Sequence, residues 1–267
     1  MARRRLLICL ALAAAAAGCA SPARTFAQRA AGLGMERSVV RGGDFDVVVF
    51  RRARTGSSVL HVYLDGDGTP WRRGGPSRDP TPRNALVLDL MRLDVEAALY
   101  LGRPCYHGAT PAPPCDGALW TDARYSETVV ASMAAALRTV LDADGVTRVA
   151  WFGYSGGGTL ALLLAPRFPE TVAVVTIAAN LDIDAWADLH RYDRLAGSLN
   201  PARAPTAAAI PQRHYAGGRD RVVPPSIVAR GPIPPGTLTI VPGYDHTCCW
   251  TELWPMVLAE VGRLAAR

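Results

Sequence analysis

Short runs rich in β-branched and aromatic residues alternate along this chain with segments of helical length, and no other feature constrains the fold as strongly. Val39-Val40, Asp46–Phe50 and Val59–Leu64 read as strands separated by Gly and Arg turns. Asn84–Leu93 then reads as a helix, Val95–Leu101 as a strand, Asp122–Leu141 as a long Ala-rich helix and Arg148–Phe152 as a strand. Gly156–Arg167 is helical until Pro169, Val172–Ala178 is a buried strand, Ile210–Tyr215 and Leu238–Val241 are two more, and Trp250–Ala266 closes the chain as a helix. This rhythm predicts an α/β fold, a mostly parallel central sheet with helices on both faces. With 267 residues, 49% of them hydrophobic, the chain suits one domain with one core. Asn180–Ala209 breaks the rhythm with polar residues, Trp186, His190 and several Pro, and reads as an excursion, either a small cap over a site or a surface loop.

The first 18 residues have the shape of a signal peptide, with basic Arg3-Arg-Arg5 followed by an apolar stretch from Leu6 to Ala17. That stretch is too short to span a bilayer comfortably. It ends in Ala16-Ala-Gly-Cys19, which resembles the lipobox of bacterial lipoproteins, with Ala16 where Leu is usual. The resemblance implies cleavage before Cys19, lipidation of Cys19 and anchoring in a bacterial cell envelope; an ordinary secretory leader gives a soluble secreted or periplasmic domain instead. Residues 19–37 read as a lipidated tether, and the folded domain as 38–267. The formal charge is +6, and loss of the three leader arginines halves it. A residual of that size is no nucleic-acid footprint.

Four cysteines remain for the folded domain. Cys105 and Cys115 bracket a Pro-rich loop, and a disulfide closing it is the preferred pairing in an oxidising compartment. Cys248-Cys249 are left as a vicinal disulfide or as free thiols. A zinc site with His246 is the competing idea, but it lacks the two separated ligand pairs of structural zinc sites. No metal and no cofactor are expected.

Gly153-Tyr-Ser155-Gly-Gly157 fits G-x-S-x-G, in which a tight strand-to-helix turn exposes a serine. Ten serines at this glycine frequency give about 0.1 chance matches, so the pattern needs its context. An apolar strand runs directly into it and a helix directly out of it, as the motif requires. A Gly-rich phosphate loop would want further anion-binding signals, such as a P-loop lysine, and the chain has no lysine at all.

A serine hydroxyl becomes a useful nucleophile when a base takes its proton and an acid orients that base. His246, in Gly243-Tyr-Asp-His246, follows the last strand; Asp220, in Gly217-Gly-Arg-Asp220, follows the one before. Both fall at carboxyl ends of strands, where open α/β sheets build their sites. Asp245 is the local rival for the acid but adjoins His246 in sequence. Asp182 and Asp184 are the second choice. For the oxyanion, the N–H of Gly156 is one donor; the other falls in Asp65-Gly-Asp-Gly68, with Asp67 preferred and Gly66 next. The competing reading of that loop is a β-turn favoured by its Asp-Gly pairs, or a cation site. Trp71, Trp120, Trp186 and Arg72-Arg73 are candidates for shaping a substrate pocket.

The elbow, the Gly-Gly-Arg-Asp220 loop and the Gly-Tyr-Asp-His246 end resemble the α/β-hydrolase superfamily over essentially the whole mature domain. More narrowly, Tyr63-Leu-Asp-Gly-Asp-Gly68, Leu101-Gly-Arg-Pro-Cys105, Arg124-Tyr-Ser126 and Cys248-Cys-Trp250 resemble a group of bacterial lipoprotein serine hydrolases. The resemblance implies the fold and a Ser-His-Asp triad of Ser155, His246 and Asp220. The expected activity is hydrolysis of a small-molecule or lipid carboxylic ester through an acyl-enzyme. The alternative is a catalytically silent envelope module that keeps the fold for binding.

Overall fold

The computed structural model describes residues 21–52, 59–109, 114–203 and 209–265. The expected leader and the lipidation candidate Cys19 lie outside them. Eight strands form the main sheet: β1 Glu36–Gly42, β2 Phe45–Arg52, β3 Leu60–Leu64, β4 Ala97–Leu101, β5 Val149–Tyr154, β6 Thr171–Ile177, β7 Gln212–Gly217 and β8 Leu238–Val241. Their spatial order is β1-β2-β4-β3-β5-β6-β7-β8. β2 pairs antiparallel with both β1 and β4, and every other pairing is parallel.

Among the described residues seven α-helices accompany the sheet: α1 Pro22–Gly32, α2 Leu86–Arg92, α3 Glu127–Asp144, α4 Gly156–Leu164, α5 Ile183–His190, α6 Pro225–Val228 and α7 Trp250–Ala265. Alternate strand residues point to opposite faces. Val47, Val49, Val62, Val149, Trp151 and Val174 therefore join α3 and α4 in one apolar layer. Val48, Phe50, Tyr63, Ala150, Phe152 and Val175 join α1, α2 and α7 in the other. Both faces are covered, as the continuous apolar strands require. α3 starts later than its Ala-rich run suggests, because Ser126 caps it by accepting from Val129 N, and it ends where Gly145 turns left-handed at φ 64°.

The tether reading of residues 19–37 needs correction from Ser21 onward. Ser21 accepts from Arg24 N as the N-cap and Pro22 opens α1. Ala23, Phe26 and Ala30 recur at helical spacing and are buried. The Phe26 ring lies 5.5, 5.3 and 4.7 Å from the rings of Phe50, Tyr100 and His107. Only one of the three apolar positions is large, so the local signal is weak and the helix is stabilised chiefly by this docking. The folded domain thus includes residues assigned to the tether, and β1 begins at Glu36 rather than near Ser38.

Cys105 and Cys115 form a disulfide with Cα atoms 5.7 Å apart. Cys248 and Cys249 are bonded to each other. Among the described residues no helix is long and apolar enough to cross a membrane, and no group of three or more His, Cys, Asp or Glu is placed to hold a metal ion.

Candidate active site

Ser155 stands between β5 and α4 with φ 52° and ψ −124°. That backbone is strained for any residue with a Cβ, and the surrounding bonds hold it there. Ser155 N donates to Ile177 O on the neighbouring strand (3.0 Å), and Ser155 O accepts from Gly158 N (2.9 Å). The turn packs so closely that a Cβ at Gly157 would collide with Leu64 O, and one at Gly156 with the Asp67 carboxylate.

The loop after β8 brings His246 Nε2 to 3.1 Å from Ser155 Oγ. The loop after β7 brings Asp220 Oδ2 to 2.8 Å from His246 Nδ1. Asp220 is buried, and its Oδ1 accepts from Val222 N and Val223 N at 2.8 Å each. His246 O accepts from Trp250 Nε1 (3.1 Å), which ties the histidine loop to α7. The rival acids serve elsewhere. Asp245 Oδ1 accepts from Thr247 N and Cys248 N within its own turn. Asp182 caps α5 through Ala185 N and Asp184 pairs with Arg203. A serine, an imidazole and a carboxylate in this chain can pass a proton from Oγ to Nε2 while Nδ1–H stays bonded to the acid.

The loop after β3 covers the other side of the serine, and a Cβ on Gly66 would lie 3.3 Å from that of Ser155. Gly66 N is already bonded to Asp65 Oδ1 at 2.7 Å. Of the two candidate amides in this loop, that of Gly66 is therefore engaged. Burial pushes the Asp65 carboxyl up to about 7, against the Gly66 N–H and the Arg103 charge. Burial would raise Asp67 as well, but the charges of Arg124 and Arg103 and the Tyr125 hydroxyl together hold it down at about 2.

These groups open on a cleft of about 1040 Å³ walled by Trp71, Arg83, Trp186, Tyr192, Leu195 and Val223. Its size is that of a ligand site. Trp71 and Trp186 are at the cleft as expected; Trp120, Arg72 and Arg73 are not part of its wall. The excursion after β6 is a cap: α5 and the residues after it supply Trp186, Tyr192 and Leu195. Sequence reasoning missed Arg103, Tyr106, Arg124 and Tyr125, all of which contact Asp67. For Arg103, Arg124 and Tyr125 the available signal was their place in two motifs, Leu101-Gly-Arg-Pro-Cys105 and Arg124-Tyr-Ser126.

A strained serine at a strand-to-helix elbow of a largely parallel sheet is the mark of α/β hydrolases as a class. The chain belongs to the alpha/beta hydrolase fold family, whose sequence model matches residues 103–238. None of the curated proteins matches it. Among solved structures, it is similar to a proline iminopeptidase from Mycobacterium smegmatis at 14% identity and a TM-score of 0.63, over 86% of this chain and 99% of that one. A membrane phospholipase A described as a bacterial virulence factor aligns at 17% identity and a TM-score of 0.59, over 100% and 97%. An esterase from Pyrococcus furiosus aligns at 13% and 0.59, over 88% and 92%. At these identities the likeness speaks for the shared fold alone.

Proposed function

We propose that the protein is a serine carboxylic-ester hydrolase. The observation that carries this reading is the unbroken line of hydrogen bonds from Ser155 Oγ through His246 to Asp220, whose second oxygen is held by two backbone amides. Ser155 Oγ attacks the ester carbonyl carbon as His246 Nε2 takes its proton. The oxyanion forms against the N–H groups of Asp67 and Gly156. Collapse breaks the bond to the alcohol, which leaves with the proton from Nε2. Water then attacks the acyl-enzyme, its proton goes to Nε2, and the acid departs as Ser155 Oγ regains a proton.

The part of the cleft wall formed by Trp71, Trp186, Tyr192, Leu195 and Val223 suits the acyl or alcohol part of a small-molecule or lipid ester. The test is labelling by a fluorophosphonate probe together with turnover of a p-nitrophenyl butyrate substrate. Ser155→Ala should lose both, and retention of either sinks the reading. We also propose lipidation at Cys19 and an envelope location, supported by the sequence before it. Cys19→Ser should move the expressed protein from the membrane fraction to the soluble one; unchanged fractionation argues against the anchor.

A further inference from the structure

Two sequence motifs with no part in the reaction above meet at the side chain of Asp67. Arg103, from Leu101-Gly-Arg-Pro-Cys105, and Arg124, from Arg124-Tyr-Ser126, each lie 2.9 Å from one of its carboxylate oxygens. The Tyr125 hydroxyl lies 2.6 and 2.7 Å from the same two oxygens, and the Tyr106 hydroxyl donates to Asp67 O at 3.1 Å. Both guanidinium side chains are withdrawn from water, at 5% and 7% exposure.

The carboxylate lies against Gly156, on the serine elbow, in the space a Cβ there would occupy. A full negative charge therefore sits next to Gly156, one of the two residues whose amides the proposed reaction assigns to the developing oxyanion. Alone it would repel that second negative charge, and poor solvation would magnify the repulsion. Two arginines meet the one aspartate, and the neighbouring Asp65 carboxyl, pushed up to about 7 by burial, holds its proton below that pH, so the cluster then carries a net positive charge. Arg103 Nη1 is also buried without a partner among the described residues. Arg103 Nη2 also donates to Asp65 O at 3.2 Å and so helps to hold the loop, but a tether would not need the unsatisfied Nη1.

Resting on the ester-hydrolase reading, we infer that Arg103 and Arg124 are positioning residues that reverse the sign of the field at the oxyanion site. They cancel the Asp67 charge and leave an excess positive charge for the tetrahedral intermediate, while Asp67 keeps its amide on the reacting face. The ground-state ester is neutral, so the effect belongs to the transition state and appears in kcat more than in KM.

The test is a double-mutant cycle in the full chain with Arg124→Gln, Asp67→Asn and both together. Arg124→Gln should lower kcat about 10- to 100-fold with KM within about twofold. A boronic acid, which forms an anionic tetrahedral adduct on serine, should weaken by a similar factor. Adding Asp67→Asn removes the repelling charge, so the double variant should be more active than Arg124→Gln alone. A double variant as weak as or weaker than that single one, or a KM rise with unchanged kcat, overturns the inference and leaves a tether. If Arg124→Gln fails to give a cooperative thermal transition, Arg103→Gln with and without Asp67→Asn runs the same cycle. Wild-type protein that labels with the fluorophosphonate but shows no rescue rejects this inference alone; wild-type protein that does not label rejects the ester-hydrolase reading beneath it.

Discussion

Trp186 on the cap helix donates its indole N–H to the carbonyl of Val222 at 2.8 Å, and the amide of that same Val222 donates to Asp220 Oδ1 at 2.8 Å. His190, one turn further along α5, bonds the same carbonyl at 2.8 Å. The cap is thus fastened to the short loop that orients the acid. A change in cap position reaches His246 through three hydrogen bonds, Trp186 to Val222, Val222 to Asp220 and Asp220 to His246.

This link makes Trp186 a positioning residue. Trp186→Phe keeps an aromatic wall but removes the donor, while His190 still holds Val222. A single net hydrogen bond is worth about 1 kcal/mol, so kcat/KM should fall about fivefold. A wild-type rate in steady-state ester hydrolysis would show that the cap and the acid loop are uncoupled.

Asp220→Asn should lower kcat by about 10³- to 10⁴-fold with little change in thermal stability, because the amide no longer favours the tautomer that leaves Nε2 free to accept. Asp245→Asn should stay within about twofold, since that side chain serves its own turn. Equal losses in the two variants would remove Asp220 from its assigned role.

Phe26→Ala should destabilise the fold by about 3 kcal/mol, the cost of emptying a site packed among Phe50, Tyr100 and His107. Thermal denaturation measures it. Were α1 a mere tether, the melting temperature would not move.

Asp65 sets a pH dependence of stability. Its folded carboxyl titrates at about 7 because it is buried, whereas the unfolded chain titrates near the ordinary aspartate value of about 4. Between these limits the folded state holds a proton that the unfolded state has released. Stability therefore falls as pH rises through this window, by at most about 1.4 kcal/mol per unit, and this contribution levels off above about 7. Asp65→Asn retains an oxygen for the Gly66 N–H and removes the titration, so it should gain stability over wild type at pH 8 relative to pH 5. Parallel melting curves for the two proteins across that range would rule the effect out.

Much of the architecture was legible because its signals are local. Val149–Phe152 is apolar enough to be buried on both faces, and the glycines after it mark the elbow without reference to any distant residue. The order of Ser155, Asp220 and His246 at successive strand ends followed from strand positions alone. The disulfide partners Cys105 and Cys115 were likewise near neighbours. α1 and the cap helix α5 were not legible. The first has one large apolar side chain, and both are held by contacts with residues far along the chain.

By itself the sequence determined the alternation of strands and helices, the strained serine turn and the two loops able to serve it, since periodicity and turn chemistry act over a few residues. Only the tertiary structure decided that Asp220 rather than Asp245 meets His246, and that Asp67 is clasped by Arg103 and Arg124. Those pairings join residues 26, 36 and 57 positions apart. They depend on which strand ends the sheet order brings together, and charge and hydrogen-bonding capacity written along a sequence carry no record of that distance.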